Sequence, residues 1–117
     1  MKIVQVVNAL PSLQKLAGQE LSSKSLYKIS KLFGNLESEI AFYNEQRSKI
    51  LAQHCDVVDG QYVPRDTEKL NNELNELLSI DIESDIKEVV ISCDEDIKLS
   101  YNDLVALKGF VRIEGED

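Results

Sequence analysis

The stretch from Leu26 to His54 constrains this chain more than any other. Leu26, Ile29, Phe33, Leu36, Ile40, Tyr43, Arg47, Ile50 and His54 recur at alternating spacings of three and four, the heptad alternation that lays one stripe along a helix. Seven of the nine are apolar or aromatic. Ser30, Lys31, Glu37, Ser38, Glu45, Ser48 and Lys49 fall on the other faces, as a helix with one dry side requires. The spacing predicts one helix over 23–54, with the rest of the chain folded back to cover its stripe.

With 117 residues, the chain has room for one domain and one modest core. Hydrophobic residues make up 43% and charged residues 29%, the balance of an ordinary globular domain. Apolar runs such as Val89-Val90-Ile91 are far too short to cross a bilayer, so no membrane partner is expected. Gln5, Asn8 and Pro11 interrupt the apolar opening residues, which argues against a secretory leader and for a cytoplasmic protein. Cys55 and Cys93 are the only cysteines, and in that compartment they are expected to be free thiols.

Charge is segregated along the chain. Up to His54 there are seven Lys and Arg against four Asp and Glu, and from Cys55 onward there are six against seventeen, for a total of -8. Such a chain repels phosphates and disfavours direct binding of DNA or RNA. A basic protein surface, including one that holds nucleic acid, is the complementary partner, although acids of this kind also serve plain solubility.

Taken in order, Ile3, Val6, Val7, Leu10, Leu13, Leu16 and Ala17 fit a helical stripe, while the β-branched Val4, Val6 and Val7 also suit a strand. A first helix over 1–18 is favoured, kinked at Pro11 and closed by Gly18 in the left-handed conformation. Ser22 and Ser23 are candidate caps for the long helix. Gly34 inside that helix costs about 1 kcal/mol relative to alanine, and the close approach of another helix is the simplest offset. Asp59-Gly60 between two β-prone pieces predicts a turn or hairpin over 55–65. Asp66 or Thr67 then caps a helix over 66–79 with Leu70, Leu74, Leu77 and Leu78 on its apolar face.

Beyond Ser79 the period drops to two. Ile80, Ile82 and Ser84 alternate with acids, Glu88 to Ser92 is β-prone, and Ile97 and Leu99 lie on a return segment, which predicts a β-hairpin over 80–99. Ser100 and Asp103 form a capping pair for a final helix over 100–110, buried through Leu104, Val105, Leu107 and Phe110 and ended by Gly109. The acidic tail from Glu114 is expected to fray.

Candidate chemistry fails on spacing. A twelve-residue calcium loop begun at Asp94 closes on Val105, and one begun at Asp81 closes on Ser92, whereas the pattern needs glutamate there. His54, Cys55 and Cys93 are three potential zinc ligands without a fourth or the usual paired spacing. Side chains of the neighbouring Cys55 and Asp56 point apart, and no glycine-rich phosphate loop or serine elbow occurs. No catalytic residue, cofactor or metal is expected.

The run Leu26-Tyr27-Lys28-Ile29-Ser30 to Glu45-Gln46-Arg47, then Asn71-Asn72-Glu73-Leu74-Asn75-Glu76-Leu77-Leu78, Ile80-Asp81-Ile82 and Leu99-Ser100-Tyr101-Asn102-Asp103-Leu104-Val105-Ala106-Leu107, resembles small proteins of unknown function encoded by phages and prophages of Gram-positive bacteria and their relatives. The resemblance covers most of the chain and rests on helix-forming residues without a functional motif. It implies a viral origin, a role other than metabolism, and residence in the cytoplasm of an infected bacterium, with virion association open.

The expected architecture is an α+β domain, mostly α, with a long central helix packed by shorter antiparallel helices. The seam is longer than the elements that cover it, so self-association or docking of a partner helix is expected. Leu32 and Phe42 beside the seam, Arg47 and His54 at its end, and the acids Asp94, Glu95 and Asp96 are the candidate contact residues. The expected function is a non-enzymatic protein-binding module of a phage, an assembly factor or adaptor. The alternative is an acidic inhibitor that occupies the basic nucleic-acid surface of a host defence protein.

Overall fold

A computed structural model describes residues 1–83 and 85–114, so Ser84 and the 115–117 part of the acidic tail lie outside the described residues. The order is α1 (Ile3–Ala17), α2 (Ser23–His54), β1 (Cys55–Val58), β2 (Gln61–Pro64), α3 (Thr67–Leu78), β3 (Val89–Ser92), α4 (Tyr101–Leu107) and β4 (Val111–Glu114). This is the α+β, mostly helical architecture that the sequence predicts.

Local chemistry explains where the elements begin and turn. The Ser22 hydroxyl accepts the Ser25 N–H to cap α2, Asp66 accepts the Lys69 N–H to cap α3, and Ser100 and Asp103 cap α4 reciprocally. Asp59 and Gly60 both have positive φ, at 52° and 77°, the two left-handed residues of a type I′ turn that joins β1 to β2. The first helix runs through Pro11 and ends at Gly18 with φ -83°, so its closure is right-handed rather than the left-handed cap expected of glycine.

α2 divides its burial between two places. Ser25, Ile29, Leu32 and Leu36 face a body core built with Val6, Ala9, Leu13 and Leu16 of α1, Ile91 of β3, and Leu107, Phe110 and Val111. Leu51 and Cys55 form a separate cluster with Leu70 of α3, flanked by Ile50 and Leu74. Between Leu36 and Leu51 no α2 residue is buried. Ile29 and Leu36 of the expected seam are buried, but the centre of the stripe is turned toward Leu32, which is fully buried while Phe33 and Ile40 only pack half-buried against the core, and Leu26 is exposed. Apolar side chains lie on both sides of the Ile29–Leu36 line, and spacing alone does not decide which side the other elements approach.

Among the described residues the expected hairpin over 80–99 is not found. Residues 80–82 instead bridge the start of the chain, with the Ile3 N–H donating to Ile80 O and the Ile82 N–H to Met1 O, both at 2.9 Å. β3 pairs in parallel with β4, in the register Val89↔Val111 to Ser92↔Glu114. Parallel neighbours need a crossover of about a dozen residues or more, and the stretch carrying α4 supplies it. The chain turns from α4 into β4 through Lys108 (φ -57°, ψ 127°) and Gly109 (φ 90°), closed by the Phe110 N–H on Leu107 O at 2.9 Å. These are the angles of a type II turn, whose third position favours glycine. The final helix is thus shorter than expected, and Leu104 and Val105 are exposed rather than buried.

Candidate interaction surface

The buried residues of the body core come from the first half of α2, and Ile40 and Tyr43 still meet Val6, Val7 and Leu10 of α1. The rest of α2, with α3 and the β1–β2 hairpin, extends beyond as an arm joined to the start of α1 at Ile80. The molecule measures 56 × 31 × 22 Å. Among the described residues, the buried cluster at the far end of this arm is Leu51, Cys55 and Leu70. Along one flank, Phe42, Gln46 and Ile50 of α2 face Glu73, Glu76 and Leu77 of α3 and Ile80 beyond it, enclosing a groove of about 360 Å³. Phe42 and Ile80 are each 41% exposed. The floor is apolar and the α3 rim carries two carboxylates.

At the other end of the molecule, two acids are tied into the fold. Glu95 accepts hydrogen bonds from the Ser22 hydroxyl, the Ser25 hydroxyl (2.8 Å) and the Ser22 N–H (3.1 Å). The Ser22 hydroxyl, then that of Ser25, hold the Glu95 carboxyl below the ordinary glutamate range, and a carboxylate suits the start of a long helix. Asp103 accepts from Lys15 Nζ at 2.7 Å, the Ser12 hydroxyl at 2.8 Å and the Ser100 N–H at 3.0 Å. The Lys15 ammonium, first, and these N–H and O–H donors keep Asp103 well below the usual aspartate range. Both carboxylates join elements far apart in sequence, which gives them a structural task.

The candidate contact residues do not come together. Leu32 is 1% exposed in the body core, so it cannot share a surface patch with Phe42. Gly34 is exposed, and a Cβ built there meets nothing within 4 Å, so no helix approaches it as expected. Phe42 lines the groove, Arg47 is exposed on α2, and His54 is half-buried at its last turn. Asp94 and Asp96 are exposed beside the half-buried Glu95, at the opposite end of α2 from His54. At about 1.5 Å per residue those ends are about 47 Å apart. Cys55 is buried at the arm tip and Cys93 is exposed after β3, both free, so His54, Cys55 and Cys93 do not converge on a metal. Among the described residues no group of three or more His, Cys, Asp and Glu is placed to hold one, and no helix is long and apolar enough to cross a membrane.

Ile50, Leu77 and Ile80 are groove residues that the sequence does not single out as contacts. Their signal is present only as an apolar surplus on α2 and α3, and it becomes a surface once the register of the two helices is known. Comparison with family models, with curated proteins and with solved structures gives no match.

Proposed function

We propose that this chain is a non-catalytic protein–protein interaction module, an assembly factor or adaptor that a phage directs at a viral or host protein in the infected bacterium. The observation that carries this reading is the α2–α3 groove, an apolar trough that the fold builds and leaves open. Its occupant is an amphipathic helix of the partner, with an apolar ridge for Phe42, Ile50, Leu77 and Ile80 and a basic flank for Glu73 and Glu76, the helix-in-groove mode of recognition. The viral origin rests on the sequence resemblance.

The test uses tagged protein expressed during infection, captured with its partners and compared with Phe42→Asp and Ile80→Asp. The reading expects a partner that is enriched by the parent chain and lost from both variants while they keep their helical circular dichroism. A partner retained by both folded variants overturns it.

A second reading is favoured by one observation: among the described residues, Glu83, Asp85, Asp94 and Asp96 take part in no ion pair. Free acids on one segment suit an inhibitor that lies on a basic nucleic-acid channel of a defence protein.

A further inference from the structure

We propose that the β1–β2 hairpin is a homodimerisation element, and that β1 of one copy pairs antiparallel with β1 of a second copy into a four-stranded sheet. This goes beyond the groove reading and does not rest on it.

The hairpin is the part of the fold with the least cover. Val57 is 67% exposed, Val58 51%, Tyr62 52% and Val63 45%. A two-stranded hairpin is marginal by itself in water, and this one is anchored at its base, where Cys55 joins the cluster with Leu51 and Leu70 and Arg65 bonds the end of α2. Its ladder fixes which backbone groups point outward. The Arg65 N–H donates to His54 O at 3.0 Å, and the pairs are Cys55↔Pro64, Asp56↔Val63, Val57↔Tyr62 and Val58↔Gln61. Hydrogen-bonded and non-hydrogen-bonded pairs alternate in an antiparallel ladder. The bonded pairs are thus His54/Arg65, Asp56/Val63 and Val58/Gln61, and Val57 turns its N–H and C=O away from β2.

The two edges are not equivalent. On β2, Pro64 sits at an outward position, where its ring replaces the N–H and blunts the edge. β1 has no proline and carries the two more exposed aliphatic side chains. A two-fold axis through Val57 lets the two Val57 residues exchange both outward hydrogen bonds, an isologous contact in which one patch serves both copies. That register aligns Tyr62, Val57, Val57 of the second copy and Tyr62 of the second copy in one apolar row on one face, because cross-strand neighbours share a face. It sets Asp56 opposite Val58, so no like charges face each other across the new seam. It also sets Cys55 at the base of one hairpin opposite Asp59 at the tip of the other, so the base of each copy lies against the tip of its partner. Strands of four residues cover less than the roughly 1,000 Å² of a firm interface, so the dimer forms at the high end of the micromolar range.

Sedimentation velocity of the full chain from micromolar to millimolar concentration, with amide hydrogen exchange at both extremes, tests this. The expected result is a monomer–dimer equilibrium in which the Val57 amide becomes protected at high concentration while the outward Tyr62 amide does not. Val57→Pro, which removes an N–H the hairpin ladder does not use, and Val57→Lys, which keeps the backbone and adds like charge, each raise the midpoint roughly tenfold or more. Phe42→Asp leaves it unchanged, which separates this proposal from the groove reading. A chain that stays monomeric at millimolar concentration overturns it, as does a dimer that ignores Val57→Lys or protects Tyr62 instead of Val57.

Discussion

Asp103 shows how much one side chain can organise when three donors from two elements converge on it. It closes the cap of α4 through Ser100 and ties that helix to Ser12 and Lys15 of α1. A carboxyl held low in the folded state contributes stability that is fully present above its unfolded value, near pH 4, and is lost as pH falls below that toward the folded value. Glu95 at the start of α2 acts in the same direction. Thermal melts are therefore expected to show a falling Tm as pH drops from about 5 to about 2. Asp103→Asn lowers Tm at pH 7, and the gap to the parent chain narrows on acidification, since the variant has one fewer carboxyl to protonate. A gap that stays constant across that range would show that the negative charge of Asp103, paired with the Lys15 ammonium, is not what stabilises the fold. Two glycines make an opposed pair. Gly34 stands in open space inside α2, so Gly34→Ala is expected to stabilise the protein by about 1 kcal/mol. Gly109 sits at φ 90° in the type II turn, and Gly109→Ala costs about 1–2 kcal/mol. Urea titrations of the two variants should move in opposite directions.

The legibility of each element in the sequence follows the range of the interaction that forms it. Capping at Ser22, Asp66 and Ser100 and the turn at Asp59-Gly60 need only residues a few positions apart, and the sequence displays them. The alternation at Ile80 and Ile82 is just as visible, but it says only that a strand-like segment exists. Its partner is the start of the chain, and β3 finds β4 across α4, pairings that no local pattern encodes. The groove is legible to the same half degree: Phe42 stands out as an apolar residue off the seam, whereas its companions depend on how α3 lies against α2. Two clusters on one helix also imply two levels of stability. Leu13→Ala, in the body core, is expected to destabilise the whole fold by about 2–5 kcal/mol. Leu70→Ala empties the small cluster at the arm tip, so amides of α3, the hairpin and the last turns of α2 should exchange faster while those of α1 keep their protection. Uniform acceleration in both regions would mean that arm and body unfold as one unit.

At the scale of the whole molecule, shape and charge act together. The radius of gyration is 17.1 Å, against about 13 Å for a compact domain of this length, so the molecule is drawn out along α2 and the far end of the arm, at Leu51, Cys55 and Leu70, lies away from the body core. It carries the groove toward solvent at one end, while Asp94 and Asp96 lie at the other end of α2. The two functional readings consequently use different regions of the protein and respond to different forces. Burial of Phe42 and Ile80 against a partner helix is driven by apolar area, and salt screens only the rim contributed by Glu73 and Glu76, which acts chiefly on the association rate. Docking of unpaired acids on a basic channel depends on charge throughout, and the Debye length shrinks from about 10 Å at 0.1 M to about 3 Å at 1 M. With the captured partner in hand, binding measured at these two ionic strengths is expected to change by less than about tenfold in affinity if the groove carries it. A loss of several orders of magnitude, matched by Asp94→Asn with Asp96→Asn and not by Phe42→Asp, would transfer the function from the arm to the acidic segment.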